Sequence, residues 1–228
     1  LPWFPELPSY QAYNARLARL VPALQRLVNL WWGAMDLPAD QIKILLGDSC
    51  PIMTCSAKRS PKVALDWIDK GKCASKSLYY YGLKLHFLGF KQEGTLPLPQ
   101  YIEFTPASAS DLATLRPVLE TLNGTFVYLD KAYADENLEK QIENQQGQLC
   151  TPPKKKRGEC EQIRAFDAAQ HKQMGTAVAK VRQPVESFFN WMQEKVHIQN
   201  ASKVRSTNGL LLHLYGKLAA LALYWLQF

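Results

Sequence analysis

The sequence predicts an α/β fold: a mixed five-stranded sheet flanked by helices, with a helical segment in front. Three observations lead there. Three strand-like apolar runs precede the first central helical pattern, helix-like and strand-like patterns alternate after it, and 47% hydrophobic residues in a chain of 228 suffice for a sizeable core without disulfides or a structural metal.

The elements follow in order. Residues 1 to about 39 open with prolines and continue as an amphipathic helix. Ser9 is placed to cap it, and Leu17, Leu20, Leu24, Leu27 and Leu30 lie near one face. Pro22 should kink or split that helix, because a mid-helix proline removes a hydrogen bond. Trp31 and Trp32 follow as a docking point onto the next region.

The remainder, 40–228, reads as one domain. Gln41 to Asp48 is the first strand, and it ends at an acid followed by Ser49-Cys50-Pro51. Thr54 to Ser77 looks loop-rich and carries Lys58, Arg59, Lys62, Lys70, Lys72 and Lys76. Tyr79 to Gly89 and Tyr101 to Thr105 are the second and third strands. Asp111 to Leu122 is a helix capped by Ser110 or by Asp111 itself. Thr125 to Asp130 is a fourth strand, again ending in an acid, and Ala134 to Gln146 is a helix. Gln148 to Thr151 is a short fifth strand, a basic loop runs from Pro152 to Cys160, and helices follow from about Phe166 through Lys195.

The balance of charge is +7, and such a surplus points to a polyanion, either nucleic acid or an anionic membrane surface. The stretch from Gly209 to Phe228 is apolar, but His213 and Lys217 interrupt it, so a buried helix is expected rather than a membrane span. Cys50, Cys55, Cys73, Cys150 and Cys160 form no C-x-x-C pair and read as reduced thiols of a cytosolic protein. The opening segment has no signal-peptide pattern. It begins on Leu1 in what reads as mid-protein, so further upstream sequence is expected.

The chemistry starts with Asp48 and Asp130. Each follows an apolar strand run: Ile42, Ile44, Leu45 and Leu46 before one, Phe126, Val127 and Leu129 before the other. Open α/β sheets place functional groups at the carboxyl ends of such strands. Carboxylates on neighbouring strands repel unless a divalent cation joins them, and hard oxygen ligands suit magnesium or manganese. For either aspartate alone, the ordinary explanation is a residue that ends a strand and caps a turn. The pair adds weight to the metal reading without deciding it.

At these residues the sequence resembles the DDE transposases of bacterial insertion sequences. Gly47-Asp48-Ser49-Cys50-Pro51 carries the first acid, and Tyr80-Tyr81-Gly82-Leu83-Lys84-Leu85-His86 the next strand. Ala107-Ser108-Ala109-Ser110-Asp111 and Leu129-Asp130-Lys131-Ala132-Tyr133 follow. The third acid lies in Arg182-Gln183-Pro184-Val185-Glu186-Ser187-Phe188-Phe189-Asn190-Trp191, ahead of Ile198-Gln199-Asn200-Ala201-Ser202-Lys203-Val204-Arg205-Ser206.

The resemblance implies a ribonuclease-H-like fold and two-metal phosphoryl transfer. Asp48, Asp130 and Glu186 would be both the catalytic acids and the ligands of two Mg2+ (or Mn2+) ions, with Asp48 bridging the pair. It also implies a nucleoid-associated bacterial cytoplasmic protein that cuts DNA at terminal inverted repeats, joins it to target DNA, and works as a homodimer. The family's last-helix signature of Tyr, Arg, Glu and Lys is matched by Arg182 and Glu186, while Ala179 and Gln193 stand at the tyrosine and lysine positions, with Lys195 near the latter.

Pro184 suggests that a helix begins there and puts Glu186 in its first turn, where acids are favoured. Lys154, Lys155, Lys156, Arg157, Arg182, Lys203 and Arg205 are candidate DNA-binding cations, with Lys58 and Arg59 beside them; a solvated charged face explains the basic run equally well. His86 reads as a satisfied core histidine in preference to a catalytic one, and Phe188, Phe189 and Trp191 read as core. Asp111 reads as a helix cap and not as a metal ligand. Two other functions remain open on these residues: another two-metal nuclease of the same fold, and a DNA-binding remnant without catalysis.

Overall fold

A computed structural model describes residues 8–33, 42–73, 77–152 and 161–225, with the side chains of 33 and 161–171 left aside. Helix α1 (Tyr10–Arg19) starts at Ser9, whose Oγ accepts the Ala12 amide at 3.3 Å. The chain then breaks at Leu20 and resumes as α2 (Val21–Gly33). Pro22 thus falls in the first turn of α2, where its missing N–H costs nothing.

Strand β1 (Lys43–Ser56) is long. It pairs in parallel with β5 (Thr125–Tyr128) only over Lys43 to Leu46, and antiparallel with β3 (Leu78–Phe90) along nearly its whole length. On its far edge β3 takes two strands end to end: β2 (Asp69–Cys73) against Leu78 to Gly82, and β4 (Leu98–Pro106) against Leu83 to Phe90. Strand β6 (Gln148–Cys150) continues the parallel side beside β5. The order β4-β3-β1-β5-β6, antiparallel on one side of β1 and parallel on the other, is the expected ribonuclease-H-like sheet.

Two local expectations change. β1 does not stop at Asp48; it runs on through Pro51 because β3 still pairs with it there. The proline is tolerated because the Met53 N–H points away from β3, to the Gln199 carbonyl at 2.8 Å, and backbone groups two residues apart share an edge. The stretch expected to be loop-rich contains the end of β1 and the short β2.

Alternation along the strands sorts two cores. Leu45, Leu88, Val127 and Leu149 face α3 (Asp111–Leu119) and α4 (Glu136–Asn144), meeting Leu115, Leu119, Leu138 and Ile142. Leu46, Ile52, Leu85 and Phe87 face the other way, toward α5 (Glu161–Val196) and α6 (Thr207–Trp225). That second core is rich in aromatics. Phe188 stacks on Phe87 at 4.3 Å and meets Trp32 of α2 at 6.1 Å and Trp225 of α6 at 6.3 Å, so the tryptophan expected to dock the N-terminal helices does so here.

α5 corrects another expectation. It is continuous through Pro184, so Glu186 lies mid-helix and not in a first turn. The proline sacrifices one ladder bond, yet Val178, Val181, Val185, Phe188 and Met192 form a stripe at three- and four-residue spacing on both sides of it. Burying that stripe on one sheet face keeps both halves in line. α6 packs Leu210, Leu214, Leu218 and Leu221 inward, and among the described residues no helix is long and apolar enough to cross a membrane.

Candidate active site

Where β1 passes the end of β5, the sheet leaves a notch. Asp48 sits there with its side chain on the α5 face, and β5 delivers Asp130 just past Tyr128. Each carboxylate is oriented by backbone: Asp48 Oδ1 accepts the Ser49 amide at 2.8 Å, and Asp130 Oδ1 accepts the Lys131 amide at 2.7 Å. Asp130 thereby caps the short 3-10 turn Lys131–Tyr133.

Arg182 of α5 reaches into the notch. Its Nη2 donates to Asp48 Oδ2 at 2.6 Å, and its Nη1 lies 3.9 Å from Asp130 Oδ1. Burial pushes the Asp48 carboxyl up to about 6, against the pull of Arg182 and the Ser49 amide, with Asp130 and Asp111 adding repulsion. The side chain keeps 31% of its surface open, so the burial that matters is protein packed around it and not complete enclosure. A carboxyl in this state gains from a nearby cation.

Glu186 is one turn further along α5 and exposed. The structure brings Asp48, Asp130 and Arg182 together, and none of the ion pairs among the described residues includes Glu186. Among the described residues, no three His, Cys, Asp or Glu side chains converge as a ready-made metal site. The donors nevertheless fit a hard divalent cation in kind: two aspartate carboxyls already share one positive group, and the third acid lies on the same helix as that group.

Several neighbours were not singled out from sequence as parts of the site. Tyr133, buried at 1% exposure, leaves its hydroxyl without a hydrogen-bond partner among the described residues. Its phenol is pushed up by burial and then by Asp111, Asp48 and Asp130. The only signal was its place in the Leu129-Asp130-Lys131-Ala132-Tyr133 motif. Asp111 proves to be the first residue of α3, with Ser110 as the cap, and it accepts Lys84 Nζ at 3.1 Å. His86 is buried, with Nε2 2.7 Å from Thr105 Oγ1 and Nδ1 3.7 Å from Asp111. Burial lowers its basicity against the pull of Asp111, so the contact is with a neutral ring at neutral pH.

The remaining candidate cations lie elsewhere. Lys203 and Arg205 are exposed in the turn between α5 and α6. Lys154, Lys155, Lys156 and Arg157 lie outside the described residues. Lys195 stands 5.8 Å from the Tyr224 ring, and Gln193 accepts the Gln199 amide at 3.1 Å, so neither reaches the notch through those contacts.

A family model described as a transposase DDE domain matches residues 40–223. No curated protein and no solved structure matches the chain.

Proposed function

The chain belongs to the DDE transposase family, whose substrate is DNA and whose members use divalent metals, and on that premise we propose that it cuts phosphodiester bonds at the ends of a DNA element and joins those ends to target DNA. The observation that carries the reading is the meeting of Asp48 and Asp130, from two different strands, on one guanidinium in the notch beside α5.

In this proposal Asp48, Asp130 and Glu186 are the residues that would hold Mg2+ or Mn2+. Two such ions supply activation of the attacking water or 3′-hydroxyl and stabilisation of the leaving oxygen. The protein's own contribution is placement. The Ser49 and Lys131 amides fix the two aspartates, α5 carries Glu186 past them, and Arg182 balances their charge and can donate to a phosphate oxygen. Arg182, Lys203 and Arg205, with Lys154, Lys155, Lys156 and Arg157, contact the DNA backbone. Residues 40–228 act as the catalytic domain behind a helical segment, 1–39, and two copies join two element ends.

The test is magnesium-dependent nicking and strand transfer on a duplex carrying the element's terminal repeat. Asp48→Ala, Asp130→Ala and Glu186→Ala should each abolish both while the protein stays folded; full activity in one removes that residue from the set. Nicking without strand transfer would identify another nuclease of this fold. The exposure of Glu186, with no three carboxylates converging among the described residues, favours a second reading, a DNA-binding protein without catalysis. Salt-sensitive duplex binding by wild-type protein, with no metal-dependent nicking, would establish it.

A further inference from the structure

A second cationic place exists at the other end of β1. The Met53 amide donates to the Gln199 carbonyl at 2.8 Å, and the Ala201 amide donates back to the Met53 carbonyl at 2.9 Å. This bridge ties the turn between α5 and α6 to the end of the strand. It brings Arg205 beside Arg59 and Lys62, which lie far away in sequence. Together with Thr54, Ser60 and Ser202 they line an open cleft of about 580 Å3.

Three features mark it as an anion site. No carboxylate lines it, and among the described residues none of the three cations forms an ion pair. Asp66, the nearest acid in sequence, is turned to the Thr207 hydroxyl at 3.4 Å. Lys58 and Lys203 add exposed charge in the same two segments, and on the adjoining edge Lys70 and Lys72 flank the exposed Tyr79 ring at 5.4 and 6.0 Å. Unpaired guanidinium and ammonium groups with hydroxyls between them suit a phosphodiester.

The distance to the acids is set by the fold. From Asp48 to Thr54 the strand spans ~20 Å at about 3.3 Å per residue. From Arg182 to Val196, α5 runs alongside for a similar ~20 Å at about 1.5 Å per residue. Duplex DNA advances about 3.4 Å per base pair, so this separation is about six base pairs.

We propose that the cleft of Arg59, Lys62 and Arg205 is a second DNA-backbone site, which takes a phosphate of the same duplex about six base pairs from the one presented to Asp48 and Asp130. The inference rests on DNA being the substrate. Its effect is orientation: one phosphate contact leaves the duplex free to pivot, whereas two fix its axis along β1 and α5.

The experiment measures binding of the full chain in EDTA to hairpin duplexes with stems of about 5 and about 16 base pairs, across a range of salt, only the longer of which can reach both places. The variant Arg59→Gln, Lys62→Gln, Arg205→Gln should lose about tenfold in affinity for the long stem. Its salt slope on the long stem should drop by about two to three, and its loss on the short stem, which can occupy only one of the two places at a time, should be at most about twofold. A matched variant with the same net charge, Lys91→Gln, Lys140→Gln, Lys172→Gln, should keep the stem-length dependence of wild type. Thermal melts confirm folding, and the double variant Arg59→Gln, Lys62→Gln, which leaves the α5–α6 turn intact, should show the same selectivity with a smaller slope change. Unchanged long-stem binding overturns the proposal, as does equal loss on both stems or equal loss in the matched variant. If wild-type protein binds neither stem, the DNA function falls together with the cleft; if it binds both and the variant tracks it, only the cleft is wrong.

Discussion

Arg182 donates to Asp48 across 134 positions of sequence, at 2.6 Å, and lies 3.9 Å from Asp130. Helix α5 thus does more than cover the sheet: it supplies the positive charge that lets two carboxyls from different strands share one notch.

Replacing that charge should expose the repulsion it balances. Arg182→Gln is expected to cost about 1–2 kcal/mol in stability, since the pair is only partly buried. Nicking should fall on the order of a hundredfold. Arg182→Lys should recover most of the stability and less of the activity, because an ammonium cannot span two acceptors as a fork does. Urea unfolding and single-turnover nicking check both parts.

Asp48 has a pH signature. Its carboxyl titrates near 6 in the folded chain and at its ordinary 3.8 when unfolded, so the folded state binds more protons between those values. Stability from this group therefore falls as pH rises through that window and stays lower above it. Asp48→Asn, which mimics the protonated form, should be more stable than wild type by about 1–3 kcal/mol at neutral pH, with the gap closing toward pH 4. Denaturant titrations in EDTA across this range measure the gap; a less stable variant at neutral pH would contradict it.

His213 of α6 acts in the opposite sense. Burial, helped by Lys217, lowers it to about 4 from 6.5, while its Nε2 lies 3.3 Å from the Ile198 carbonyl. The unfolded chain takes up this proton first, so stability falls as pH drops from 6.5 toward 4. His213→Gln, which retains a donor, should lose about 1–2 kcal/mol less than wild type over that window. Each variant is compared with wild type in the same series, which separates it from the Asp48 effect.

Phe188 joins α2, β3 and α6 through its contacts with Trp32, Phe87 and Trp225. Phe188→Ala should destabilise by about 3–5 kcal/mol, and Phe188→Leu by clearly less. Calorimetric melting gives the ranking; equal effects would mean that the ring contacts contribute little.

Pro184 breaks one bond in α5, the one its amide would have donated to the Lys180 carbonyl. Pro184→Ala restores that donor and is expected to raise stability by about 1–3 kcal/mol, read from urea midpoints.

The residues themselves determined the fold class and the order of all the strands but β2, because apolar runs and turn residues act locally and the Asp69–Cys73 segment has no such run. The split at Pro22, the cap at Ser9, the strands before Asp48 and Asp130 and the buried α6 all follow from spacing that needs no partner. The candidate acids were legible through motifs, each carried on a contiguous segment. Tertiary structure alone decided how far elements extend and what meets what. β1 continues past Asp48 because β3 pairs with it, and α5 continues through Pro184 because its apolar stripe is buried on both sides. The Arg182–Asp48 pair and the cleft of Arg59, Lys62 and Arg205 each join segments distant in sequence, and the burial of the Tyr133 hydroxyl likewise depends on packing. Such meetings are fixed by sheet register and by burial of the helix faces, and local sequence pattern carries no record of either.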